Sequence, residues 1–227
     1  MCGVLGITIK NFNKGDYGLI RSLFQQSMIR GKHATGVSFV KDGKVVTIKE
    51  PISADAFINL IDISNWTNED GNLYCIGHIR YSTSDLRYNQ PFSNDTWGVA
   101  HNGVISQEPP DTWYETYNIK TETANDSELV LHALTNKKNP LTYFSPASMA
   151  VCAVDKNKRL FAFRNEARPL YHYQDDRMTI FTSTKNIAER SGVNNSIETQ
   201  MYRTYIVEDF EISYYDTDFK DNIKDLQ

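Results

Sequence analysis

No stretch of the sequence approaches the roughly 18 consecutive apolar residues of a membrane-spanning helix, so no membrane partner is expected. The opening is apolar only over the length of a strand and has no basic start, so no secretory signal is read there. Cysteine is scarce and odd in number: three among 227 residues, which cannot make a disulfide framework. These features place the chain, as an expectation, in reducing cytoplasm with free thiols. Positive charge is also in deficit. Lys and Arg number 24 against 28 Asp and Glu, a net charge of −4, and no basic stripe is present, so a direct nucleic-acid partner is not expected. The five histidines are scattered, and Cys75 and His78, three apart on one predicted strand, point to opposite faces and do not share a metal. No metal and no cofactor are expected, and no glycine-rich phosphate loop occurs.

What is there is an ordinary globular composition, 40 % hydrophobic and 23 % charged, with 11 Phe, 13 Tyr and 3 Trp suited to a strand-rich interior. The most unusual chemistry stands at the start, Met1-Cys2-Gly3-Val4-Leu5-Gly6-Ile7. Removal of the initiator methionine would leave Cys2 with both a thiol and a free α-amino group, a nucleophile and a base on one residue. The run from 3 to 10 reads as a buried strand that would hold the pair rigidly. Cys75 and Cys152 lie in apolar runs and read as buried core residues.

Asp16 to Ile29 has Ile20, Leu23, Phe24 and Met28 at helical spacing, with Asp16 as expected N-cap. Strands at 35–40 and 44–49 are joined by Lys41-Asp42-Gly43, a hairpin signal. Residues 53–63 predict a short helix, 73–82 a strand, and 96–101 a strand cut by Asn102-Gly103. Residues 107–123 predict an irregular loop and 126–134 a helix. The last third predicts strands at 148–154, 160–164, 178–183, 204–207 and 211–215, with a helix at 185–190. Nothing divides the chain, so one α+β domain is expected over 2–215, with a fraying polar tail at 216–227.

Three clusters carry chemistry. Gly77-His78-Ile79-Arg80-Tyr81-Ser82-Thr83 ends a strand on a guanidinium and hydroxyls, either surface groups or a grip on a carboxylate. Gln90-Pro91-Phe92 followed by His101-Asn102-Gly103 supplies either a tight turn or a side-chain amide beside a backbone N–H, as an oxyanion hole requires. In Asn125-Asp126-Ser127-Glu128, Asp126 is either a helix N-cap or a carboxylate for a substrate ammonium.

Taken in order with Arg30-Gly31…Gly36, Arg168-Pro169-Leu170 and Thr182-Ser183-Thr184, these pieces resemble the class II glutamine amidotransferase domain. That is the N-terminal-nucleophile glutaminase half of amidophosphoribosyltransferase, glucosamine-6-phosphate synthase and asparagine synthetase. The Arg-Tyr-Ser-Thr and Gln-Pro-Phe pieces are most similar to the first. The resemblance spans about residues 2 to 207 and implies an Ntn-hydrolase fold, a four-layer αββα sandwich of two mainly antiparallel sheets. It implies Cys2 as nucleophile, Asn102 and Gly103 as oxyanion donors, Arg80 and Asp126 on the α-carboxylate and α-ammonium of L-glutamine, and Tyr81 and Thr83 at the substrate. The activity implied is a glutaminase subunit that supplies ammonia to a separate synthase. A γ-glutamyl peptide hydrolase and a catalytically silent glutamine- or partner-binding domain are the alternatives. The sequence departs from the family where His33 replaces a common acidic residue and where Asn165-Glu166-Ala167 replaces Asp-Pro-x-Gly.

Overall fold

The computed structural model describes residues 1–82, 86, 88–144 and 147–217. Its strands are β1 (Gly3–Ile9), β2 (Ala34–Lys41), β3 (Lys44–Glu50), β4 (Leu73–Arg80), β5 (Phe92–Ser93), β6 (Trp97–Val104), β7 (Ser148–Asp155), β8 (Arg159–Arg164), β9 (Tyr171–Gln174), β10 (Met178–Thr182), β11 (Ile197–Glu198), β12 (Arg203–Glu208) and β13 (Glu211–Asp216). Its α-helices are α1 (Tyr17–Gln26), α2 (Ala54–Leu60), α3 (Trp113–Tyr117), α4 (Ser127–Thr135), α5 (Pro140–Tyr143) and α6 (Lys185–Arg190).

The strands form a seven-stranded sheet, order β11-β9-β10-β1-β4-β2-β3, and a six-stranded sheet, order β13-β12-β8-β7-β6-β5. The pairings are antiparallel, in line with connections as short as the two-residue turn between β2 and β3. There Asp42 (φ +51°) and Gly43 (φ +70°) both adopt the left-handed conformation a primed hairpin turn requires.

Alternation along each strand sorts side chains into three core layers. Leu5, Ile7 and Ile9 of β1 face α1, α2 and α6, packing with Ile20, Leu23, Phe24, Phe57 and Ile187. Val4 points the other way and joins Tyr74, Ile76, Ala100, Cys152, Leu160 and Phe181 between the sheets. On the far side of the second sheet, Val99, Val151 and Phe161 pack against Trp113, Leu129, Val130 and Leu134 from α3 and α4. Helix, sheet, sheet, helix is the αββα arrangement. Each fully buried Leu, Ile or Phe in these layers contributes about 1.5–3 kcal/mol.

Three local expectations are corrected and one of two open readings is removed. Asp16 makes no capping bond to α1; its carboxylate accepts from Asn13 N–H and pairs with Arg177. Asn102 and Gly103 do not interrupt β6, which runs on to Val104 opposite Ser148. The segment 107–123 is not wholly irregular: α3 forms because Trp113 anchors it in the core. Asp126 precedes α4 without a side-chain cap. Asp216 closes β13, where it pairs with Arg203; residues 218–227 lie outside the described residues.

Candidate active site

The register of the sheets brings the distant sequence clusters to one end of the sandwich. Gly3 pairs with Ile79 of β4, so continuing one step sets Cys2 opposite Arg80. Ala34 pairs with Arg80 on the other side of β4. Cys2 lies two residues before Val4, so it points between the sheets, toward Asn102 of β6, which lies two residues beyond Ala100.

Both backbone flanks of Cys2 are pinned. Its N–H donates to Asn102 Oδ1 at 3.0 Å, and its carbonyl accepts from Arg30 Nε at 3.3 Å. Burial lowers the Arg30 pKa from its ordinary value, against the opposing effect of Cys2. The half-buried thiol of Cys2 faces the Tyr81 carbonyl, with Sγ 3.9 Å from the oxygen. The buried Asn102 Nδ2 has no hydrogen-bond partner among the described residues. An amide whose oxygen is committed to the Cys2 nitrogen leaves its donor edge for something else.

Gly103 sits beside this donor in a conformation that excludes other residues. Its φ is +152°, and a Cβ would stand 1.8 Å from the Ser148 carbonyl oxygen. β5 reaches only to Val99 along this edge of β6. Beyond it, the Gln90 side chain substitutes for a strand: Oε1 accepts from His101 N–H at 2.7 Å and Nε2 donates to His101 O at 3.1 Å. Gly103, two residues on, directs its N–H toward the same open edge.

His101 fixes this geometry from behind. Its Nε2 lies 3.3 Å from the Ser148 carbonyl, which only accepts, so Nε2 is assigned the hydrogen. Its Nδ1 is then an acceptor for the Ser127 hydroxyl at 2.8 Å, and that oxygen accepts from Gln90 Nε2 at 2.9 Å. The chain Gln90–Ser127–His101–Ser148 is satisfied in one direction with a neutral imidazole, and burial holds the His101 pKa below its usual value while Asp126 opposes the shift.

A cavity of about 700 Å³ opens on this centre, and Cys2, Arg80, Gly103, Trp113 and Asp126 are among its walls. The buried Arg80 guanidinium is aimed by Nη1 bonds to Tyr88 O at 2.9 Å and Asn89 Oδ1 at 2.6 Å. One oxygen of Asp126 accepts from Ile105 N–H at 2.5 Å and Ser106 N–H at 3.2 Å. These bonds take the place of a helix cap and fix the carboxylate against the loop that follows β6. The cavity thus carries a cation and an anion beside a thiol. Trp113 and Glu108, which close one wall with a Trp113 Nε1 bond to Glu108 O at 2.9 Å, were masked in the sequence by the neighbouring prolines. The Tyr88–Asn89 brace of Arg80 had no signal at all. Of the expected substrate contacts, Tyr81 meets the centre through its carbonyl while the residue as a whole is 52 % exposed. Thr83 lies outside the described residues.

His78, between the sheets and two residues before Arg80 on β4, is 1 % exposed, and neither ring nitrogen has a partner among the described residues. Burial, reinforced by His101 and Arg80, pushes its pKa down to about 3. An unfolded histidine protonates near pH 6.5, so the unfolded state gains protons first as pH falls. The stabilisation is complete above about pH 6.5 and is lost through the window down to about pH 3, at about 1.4 kcal/mol per pH unit. Urea unfolding should show a loss of about 2 kcal/mol from pH 7 to pH 5 attributable to His78. His78→Asn should lack that slope, whatever its absolute stability; parallel losses in both proteins would refute the assignment.

No helix among the described residues is long and apolar enough to cross a membrane, and no group of three metal-ligating side chains occurs among them. No family model and no curated protein matches the sequence. Solved structures do. A glutamine phosphoribosylpyrophosphate amidotransferase from B. subtilis, complexed with ADP and GMP, superposes with a TM-score of 0.72 over 98 % of this chain at 18 % identity. A structure described as the allosteric regulatory enzyme of purine biosynthesis matches equally, and this chain spans 50 % of each of those two chains. A class-II glutamine aminotransferase domain protein from Silicibacter pomeroyi matches at a TM-score of 0.59 and 12 % identity, over 95 % of this chain and 99 % of its own. The expected αββα sandwich of the Ntn-hydrolase type is therefore the fold of this chain, shared with structures of class II glutamine amidotransferases.

Proposed function

We propose that this chain hydrolyses the side-chain amide of L-glutamine to L-glutamate and ammonia. The observation that carries the reading is the hydrogen bond from the Cys2 nitrogen to Asn102, at the rim of a cavity holding both Arg80 and Asp126. With Met1 removed, that nitrogen becomes an α-amine whose orientation Asn102 holds. It takes the thiol proton, directly or through a water, and the sulfur attacks the amide carbon. The resulting oxyanion is received by Asn102 Nδ2 and Gly103 N–H. The α-ammonium returns its proton to the leaving nitrogen, ammonia departs, and a γ-glutamyl thioester remains. Water adds to the thioester with the same amine as base, releasing glutamate and restoring the thiol. Arg80 grips the α-carboxylate and Asp126 the α-ammonium of a free amino acid. The ammonia goes to a separate synthase.

The test is product analysis. Glutamine should yield glutamate and ammonia in equal amounts, well ahead of γ-glutamyl peptides. Preference for the peptides would instead make the chain a γ-glutamyl hydrolase. Arg80→Ala should lower kcat/KM for glutamine about 10- to 150-fold, chiefly through KM, the worth of a hydrogen bond to a charged group. Unchanged KM in that variant would remove Arg80 from the substrate.

A further inference from the structure

His33 touches three consecutive residues at the end of β4. Its N–H donates to Arg80 O at 3.0 Å, its ring lies 5.3 Å from the Tyr81 ring, and its Nδ1 accepts from Ser82 N–H at 2.8 Å. The turn before it is pressed on the same backbone: a Cβ at Gly31 would come 2.3 Å from the Arg80 carbonyl carbon. That backbone is also a wall of the candidate site. Arg80 projects into the cavity, and the Tyr81 carbonyl faces the Cys2 thiol. Ser82 lies two residues past Arg80, the last residue of β4.

We propose that His33 is a positioning residue that holds the Arg80–Ser82 segment against the reacting thiol, and that it does so only while its Nδ1 is unprotonated. The proposal rests on the glutamine reading of the site. Nδ1 accepts from Ser82 as part of a neutral imidazole; protonation turns it into a donor facing a donor, and the contact becomes repulsive. The exposed ring faces the Tyr81 ring from the end of β4, and Lys32 and Arg30 are the charged residues nearest it in sequence. Arg80 turns its guanidinium away to Tyr88 and Asn89. Among the described residues no carboxylate pairs with His33 to hold the proton in a harmless place.

Three proteins decide it: wild type, His33→Ala and His33→Asp, whose carboxylate accepts throughout the range tested. The ratio of wild-type KM for glutamine to that of His33→Asp should rise about fivefold from pH 7.5 to pH 5.5, with the ratio of kcat values unchanged. His33→Ala should show the raised KM at both pH values. Hydrogen exchange of the Ser82 amide, corrected for intrinsic rates and measured without glutamine, should lose protection at pH 5.5 in the wild type, lose it at both pH values in His33→Ala, and keep it in His33→Asp. A pH-independent KM ratio, or Ser82 protection indifferent to pH and to substitution, would overturn the role. If the wild type hydrolyses no glutamine at either pH, the proposed function fails, and the Ser82 exchange alone decides whether His33 holds the segment.

Discussion

Gly103→Ala is expected to reduce glutaminase kcat by about 10³-fold or more, while leaving KM for glutamine within a few-fold. At φ +152° an alanine is strained whatever space surrounds it, and its Cβ would sit 1.8 Å from the Ser148 oxygen. The neighbour cannot yield cheaply: Ser148 O also receives the His101 ring, and Ser148 Oγ receives Val104 N–H at 3.0 Å. The strain falls instead on the 102–103 peptide, and both proposed oxyanion donors move. One such donor is typically worth about 10²–10³ in kcat. Arg80 and Asp126, held by Tyr88, Asn89, Ile105 and Ser106, stay in place, so binding suffers less than turnover. Urea unfolding should show a loss of about 1–3 kcal/mol, so the variant still folds and its kinetics can be measured. A folded Gly103→Ala enzyme with kcat within threefold of wild type would remove this peptide from the oxyanion site.

Cys2→Ala is expected to have the larger effect, a loss on the order of 10⁶ in kcat, the size seen when an attacking nucleophile is removed. The fold should not notice. The thiol is half-buried, outside the three core clusters, and among the described residues its one hydrogen bond is the 3.9 Å contact to Tyr81 O. The backbone bonds to Asn102 and Arg30 do not involve the side chain and should survive. The other two cysteines offer no substitute, because both are fully buried and burial raises their pKa values well above the ordinary thiol range. A Cys2→Ala protein with an unchanged urea midpoint and unchanged glutamine turnover would end the proposal.

Much of the fold was legible because burial is periodic. Strands β1, β4, β7 and β8 read as apolar runs, since each is covered on both faces by a sheet and a helical layer. The four-residue β9, half-buried throughout, and the two-residue β5 and β11 gave no periodicity to read. Errors clustered where a residue had two local meanings. Asn102-Gly103 has the composition of a turn, yet the β7 pairing and the His101 bonds hold it as strand. Asp126 has the composition of an N-cap, yet the Ile105 and Ser106 amides reach its carboxylate first. Both are residues to which the proposal gives chemistry. For the candidate site, Cys2, Arg80, Asn102 and Asp126 were legible in the sequence as an ordered set of candidates. Their support was not: Gln90 spanning the open edge of β6, and Tyr88 and Asn89 aiming Arg80, depend on contacts no short-range pattern encodes.

The most direct measurement is the intact mass of the purified protein before and after treatment with an electrophilic diazoketone analogue of glutamine, with the adduct mapped by peptide. The expected result is a chain lacking Met1 that gains one analogue, on an N-terminal peptide beginning at Cys2, with glutaminase activity lost in step. Full glutaminase activity in a protein that retains Met1, or inactivation with no adduct on Cys2, would contradict the assignment of the Cys2 thiol and amine as the catalytic pair.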